Sequence, residues 1–172
     1  GITSVHVCAP GTNVYSLAPS RANQFSENFG AVGGWAFGGA NSTWAISGGV
    51  LTNRNYVDNA DSWAMSPVID FTGALACRVE FQITGACEEW YDVLTIEISG
   101  DDGATWDSAP IIEVSGDYSG GWYSGSFDIR GYDGNPTVRL RFHFTSDGSI
   151  TTGGGFSIDN FKITGSSNNY AA

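Results

Sequence analysis

Basic residues are scarce: the 172-residue chain holds seven Lys and Arg against eighteen Asp and Glu, for a formal net charge of −11. A surface of that sign repels phosphate backbones, which argues against nucleic acid as a partner. Histidine is scarcer still, and neither His6 nor His143 stands in a zinc-protease motif. A nucleophile-elbow sequence is also missing, so the common hydrolase constellations are excluded at the level of motif. Three cysteines, Cys8, Cys77 and Cys87, make neither a metal finger nor a disulfide framework. No stretch approaches the ~20 apolar residues of a membrane span. The longest candidate, residues 74–83, is broken by Arg78, Glu80 and Gln82, so membrane insertion is not expected. The chain begins at Gly1 without Met, a basic n-region or an apolar h-region, as after removal of a signal or in a fragment. Helical periodicity is nearly absent.

What is present is a β-pattern. Hydrophobic residues make up 41% and aromatics 13% of the chain, which excludes a disordered tail, and 24 glycines without a three-residue period exclude collagen. The length suits one domain with one core. Short β-branched and aromatic runs recur between Gly, Asp, Asn and Ser clusters. In residues 75–83, Leu75, Cys77, Val79, Phe81 and Ile83 alternate with Ala76, Arg78, Glu80 and Gln82, placing one face on the core. In residues 91–99, Leu94, Ile96 and Ile98 take the inward positions. In residues 138–144, Val138, Leu140, Phe142 and Phe144 alternate with Arg139, Arg141 and His143, so His143 reads as a partly exposed sheet residue. Further strands are predicted at 24–29, 43–46, 50–53, 62–66, 111–114, 122–129 and 156–163. The pattern predicts an all-β, two-sheet antiparallel β-sandwich of jelly-roll type, with residues 1–23 as an N-terminal arm, 24–164 as the sandwich and 165–172 as a tail.

Several motifs run in order along the sandwich. They are Phe-Ser-Glu-Asn-Phe at 25–29, Ser-Pro-Val-Ile-Asp at 66–70, Glu89 with Tyr91-Asp92, and Ile-Ser-Gly-Asp-Asp-Gly-Ala-Thr-Trp at 98–106. Next come Phe-Asp-Ile-Arg-Gly-Tyr at 127–132, the segment 139–148 and Phe-Ser-Ile-Asp-Asn-Phe at 156–161. The series resembles the MAM-like and cleaved-adhesin-like jelly-roll domains that bacteria append to secreted peptidases and surface proteins. The resemblance implies a secreted or cell-surface, non-enzymatic sandwich, often calcium-stabilised, used in adhesion or in binding a surface glycan or protein. It also implies that Glu27 and Asp159, on strands lying side by side in such folds, hold the calcium. The oxygen-rich loop with Asp58, Asn59 and Asp61 would complete the shell. Asp58 and Asn59 read equally as turn residues capping their own backbone.

Aromatic faces complement pyranose rings, and Trp35, Trp90, Tyr118, Trp122 and Tyr123 lie near glycine-rich loops where a ligand platform could form. For each of these singly, core packing competes with exposure. By parity Cys77 is a reduced core residue, which leaves Cys8 and Cys87 as the pair for any intrachain bridge. Residues 2–8 alternate in the manner of a strand without a hairpin partner. They suggest an arm that docks on a sheet edge of its own or of another copy. Self-assembly into a fibre or layer by such edge pairing is the alternative function. Asn41-Ser42-Thr43 is a formal glycosylation sequon.

Overall fold

A computed structural model describes residues 21–31 and 33–167. The chain forms β1 Arg21–Glu27, β2 Ala36–Ala40, β3 Ala45–Ser47, β4 Val50–Thr52, β5 Asp61–Met65 and β6 Ala74–Ala86. It continues through β7 Val93–Ser99, β8 Ile112–Val114, β9 Asp117–Asp128, β10 Arg139–Thr145 and β11 Gly155–Ser167. One sheet of six strands has the order β3-β4-β11-β6-β9, with β1 joining β11 beside β4, and a second of five has the order β2-β5-β10-β7-β8. Every pairing between these strands is antiparallel. This is the expected two-sheet sandwich. No helix among the described residues is long and apolar enough to cross a membrane.

The core lies between the sheets. From β10, Phe142 meets Phe81 of β6 at 6.2 Å and Phe161 of β11 at 5.6 Å, closing the two layers over one another. The inward series on β7 and β10 is buried as the alternation predicted. On β6 the alternation holds from Cys77 onward but reverses before it, so Ala74 is buried and Leu75 faces solvent. The cause is a bulge: Ala76 adopts φ +52°, and the ladder to β11 shifts register between Thr164 and Ser166. Both Ala76 and Cys77 donate their N–H groups to the Asp133 carboxylate, at 2.6 and 3.0 Å.

A second correction concerns Trp35. Its side chain is only 5% exposed and packs on Phe29, Phe142 and Phe161, so it is a core residue and not part of a surface platform. β2 was not anticipated, because its Ala-Phe-Gly-Gly-Ala sequence looks like a turn. Gly38 pairs with Trp63 of β5, whose indole lies where a Cβ would stand, 2.5 Å away. β1 begins at Arg21 and β11 runs to Ser167, each beyond the expected edge of the sandwich. Cys8 and the arm at 2–8 lie outside the described residues.

Candidate functional site

Three connections meet at one end of the sandwich: residues 53–60, 87–92 and 146–154. Their meeting point is Asp92, which is fully buried at the entrance to β7. Its Oδ2 accepts the Tyr56 hydroxyl at 2.6 Å, and its Oδ1 accepts the Asp147 N–H at 3.1 Å. The carbonyl of Asp92 accepts from the Ser115 hydroxyl at 2.8 Å and from the Cys87 thiol at 3.1 Å. The Asn59 N–H is bonded to the Asp147 carbonyl at 2.6 Å, tying the first and third connections together.

One carboxylate oxygen from each of Glu88, Asp92 and Asp147 lies within 4.8 Å of the other two. Such crowding leaves its mark on proton affinity. Burial, followed by the negative charges of Asp147, Asp92 and Asp58, pushes the Glu88 carboxyl up from its usual range. Burial, reinforced by the Asp92 carboxylate, likewise pushes up the Tyr56 phenol, and burial raises the Cys87 thiol. Glu88 Oε2 is buried without a hydrogen-bond partner. A group of hard oxygens with one lone acceptor could hold a metal ion.

None of the five residues expected to hold metal belongs to this group. Glu27 Oε1 accepts the Phe29 N–H at 2.8 Å, and Asp159 Oδ1 accepts the N–H of Asn160, which sits at φ +50° in a bulge of β11. Asp61 Oδ1 is 2.6 Å from His143 Nε2. The carbonyls of Asp58 and Asn59 accept the Asn41 side-chain amide, so their loop borders the acidic group through its backbone and charge. Neither Glu88 nor Asp147 stands out in the sequence, and Asp92 enters there only as part of the Tyr91-Asp92 motif. The one local signal was Asp92 at the mouth of an apolar strand.

The outer face of the six-stranded sheet carries a groove of about 490 Å³. Ser26 and Glu27 of β1, Glu80 and Gln82 of β6, Ser124 of β9, and Asn160 and Lys162 of β11 line it. The Lys162 ammonium pairs with Glu80 at 3.0 Å, and the Asn160 amide donates to Gln82 Oε1 at 2.6 Å. Farther along β6 a smaller cleft of about 270 Å³ opens between Arg54, Thr84, Ser119 and residues 153–155. At the sheet edge, β9 skips register, with Tyr118 opposite Gly85 and Tyr123 opposite Ile83. There Trp122 and Tyr123 are 45% and 47% exposed, while Tyr118 is half-buried with its ring edge-on to Tyr123. Trp90 is 82% exposed at φ +73°, and its N–H is held by the Ser115 hydroxyl. Neighbouring Tyr91 is also exposed and had not been singled out.

On the opposite sheet His143 lies between Asp61 and Glu97, and Glu97 also pairs with Arg141, whose guanidinium stacks 4.2 Å over Trp106. Burial opposes ionisation of Glu97, but hydrogen bonds from His143 and Arg141 prevail and hold its carboxyl below the usual range. The ladder joins β5, β10 and β7 and agrees with a sheet-surface role for His143.

No protein-family model matches the chain, and no curated protein does. Among solved structures it is similar to the K3 cleaved adhesin domain of Lys-gingipain from Porphyromonas gingivalis W83, with a TM-score of 0.58 and 13% identity over 84% of this chain and 99% of that one. It is also similar to TmCBM61 in complex with β-1,4-galactotriose, with a TM-score of 0.54 and 15% identity over 83% and 97%. A variant of CBM29-2, a family 29 carbohydrate-binding module, gives a TM-score of 0.52 and 15% identity over 84% and 85%. The chain therefore has the β-sandwich fold found in cleaved adhesin domains and carbohydrate-binding modules.

Proposed function

We propose that the chain is a non-catalytic extracellular module that binds a surface glycan. The observation that carries this reading is the groove on the outer face of the six-stranded sheet, where amide, hydroxyl, carboxylate and ammonium groups stand together above a rigid β-surface. Sugar hydroxyls both donate and accept, and a mixed lining of this kind offers partners for both roles. A neighbour of the same fold was solved with β-1,4-galactotriose, which makes neutral β-linked oligosaccharides the first ligands to test. Titration calorimetry against such a set should show binding that Gln82→Ala together with Asn160→Ala weakens at least tenfold. No binding across this set and its acidic counterparts would overturn the glycan reading.

Calcium is proposed as the stabilising ion, held by Glu88, Asp92 and Asp147. Bound there, a divalent cation would cancel the mutual repulsion of the carboxylates and lock residues 87–92 to residues 146–154. At a hundredfold excess over its dissociation constant it would add about 2.7 kcal/mol of stability. Thermal unfolding in calcium and in excess chelator tests this, and coincident curves would remove the ion from the proposal.

Self-assembly is a second reading, supported by β9. Among the described residues the other edge strands, β3, β8, β2 and β1, span three, three, five and seven residues, whereas β9 presents twelve along an edge bearing Trp122 and Tyr123. Long unprotected edges invite pairing with another chain. Sedimentation over a wide concentration range decides it: a monomer throughout excludes assembly.

A further inference from the structure

We infer that the smaller cleft on the outer face of the six-stranded sheet is an anion subsite that receives the carboxylate of an acidic sugar, a hexuronate within or at the end of a glycan. This deepens the glycan reading and rests on it. In a chain of net charge −11, the cleft is lined by Arg54, Asn55, Thr84, Gly85, Ser119 and residues 153–155, without a single carboxylate. The lining supplies a guanidinium, an amide, two hydroxyls and glycine backbone, a set weighted toward donors.

Arg54 is held in place but left unneutralised. Its backbone N–H donates to Thr52 Oγ1 at 3.1 Å, and its Nε donates to Ser157 Oγ at 3.2 Å. Ser157 is itself buried and donates to the same Thr52 hydroxyl. Arg130, Arg139, Arg141 and Lys162 each pair with a carboxylate, whereas Arg54 and Arg78 make no such ion pair among the described residues, and Arg78 lies outside the cleft, bonded to the Ser126 hydroxyl and carbonyl. The nearby acid Asp117 accepts the Ser119 N–H at 2.7 Å. A guanidinium fixed through Nε keeps its Nη groups for a planar anion, and carboxylate is the anion whose geometry matches that fork.

The opposite wall is bare backbone for a steric reason. Gly153, Gly154 and Gly155 have φ of +77°, +77° and +89°, and a Cβ on Gly153 or Gly155 would stand 2.5 Å from Ala86 or 2.7 Å from the Asn53 carbonyl. At about 270 Å³ the cleft suits one sugar-sized group, while the groove of about 490 Å³, lined on the same strand β6 by Glu80 and Gln82, offers room for the rest of an oligosaccharide.

The test compares a neutral oligosaccharide with its counterpart carrying one hexuronate, by calorimetry in low salt. Wild type should favour the hexuronate about tenfold, the gain expected of one charge-assisted pair. Arg54→Gln should bring the ratio near one, Arg54→Lys should keep part of it, and Arg78→Gln, a cation outside the cleft, should leave it intact. Circular dichroism and melting curves of each variant control for folding. Equal binding of the two sugars by wild type, or an undiminished preference in Arg54→Gln, overturns the subsite while the glycan reading stands. Binding of neither sugar overturns both. An Asp-rich peptide or free acetate that competes as well as the hexuronate overturns the assignment to a sugar acid.

Discussion

Trp35 and Trp90 show how far a residue's surroundings in sequence can mislead. Both sit beside glycines or turn residues, yet Trp35 is sealed between the sheets and Trp90 stands in solvent. Nothing local to Trp35 announces its partners, because Phe142 and Phe161 come from the far end of the chain. Trp35→Ala should cost about 3–5 kcal/mol of stability as a core truncation. Trp35→Phe should cost under about 1.5 kcal/mol, since the indole N–H it removes is buried without a partner. Chemical denaturation measures both, and an Ala variant of unchanged stability would return Trp35 to the surface.

Glu88 allows a pH prediction at the same scale. Its carboxyl is raised above 4.5 by burial and by Asp147, Asp92 and Asp58, so the folded chain holds this proton more tightly than the unfolded one. The resulting stability is present below the unfolded value and is lost as pH rises through the folded value. In chelator, wild type should therefore lose Tm relative to Glu88→Gln on going from about pH 4 to about pH 7. Calcium should reverse the order at the upper end, because the ion needs the carboxylate that Gln lacks. A constant difference between the two proteins across this range would show that Glu88 is not under the field of its neighbours.

Among the elements, β7 and β10 were legible because two-residue periodicity is set by the pleat alone and their inward positions are all large and apolar. β6 was legible only from Cys77 onward. The parity break at Ala76 depends on Asp133, more than fifty residues away in sequence, capping two successive N–H groups. Asp133→Ala should cost about 1–3 kcal/mol, since at least one of those donors loses a partner that water replaces poorly. Ala76→Gly should be stabilising by a few tenths to about 1 kcal/mol, because glycine takes φ +52° without strain. Opposite signs for the two variants in urea unfolding support the capped bulge. Equal losses would mean that Ala76 is kept for its methyl group. β2 escaped notice for the converse reason: glycine is a turn signal, but Gly38 is glycine because Trp63 lies across it.

At the scale of the whole molecule, the acidic cluster and the anion cleft share two connections, although two of the cluster's carboxylates, Glu88 and Asp92, come from a third, the link between β6 and β7. Asp147, Gly153 and Gly154 belong to the link between β10 and β11, with Gly155 opening β11, while Arg54, Asn55 and Tyr56 follow one another between β4 and β5. Tyr56 donates to Asp92, with the Thr152 carbonyl 2.9 Å from the same hydroxyl, and the Asn55 N–H donates to the Gly154 carbonyl at 3.0 Å. Single residues could not reveal this, since the site's members are scattered from position 54 to position 155 and meet only when the sheets stack. The shared scaffold has an energetic consequence. An ion that locks residues 146–154 against residues 87–92 removes freedom that a ligand in the cleft would otherwise have to remove, so the two bindings should be positively coupled. Calcium is expected to tighten hexuronate binding by about fivefold or more, and by linkage the sugar should tighten calcium by the same factor. Tyr56→Phe, which cuts the hydroxyl between Asp92 and Thr152 but leaves Arg54 and all three carboxylates, should shrink the coupling while both ligands still bind. Sugar titrations with calcium and with chelator, on wild type and on this variant, measure the factor directly. Identical wild-type affinities under the two conditions would show that the cluster and the cleft act independently.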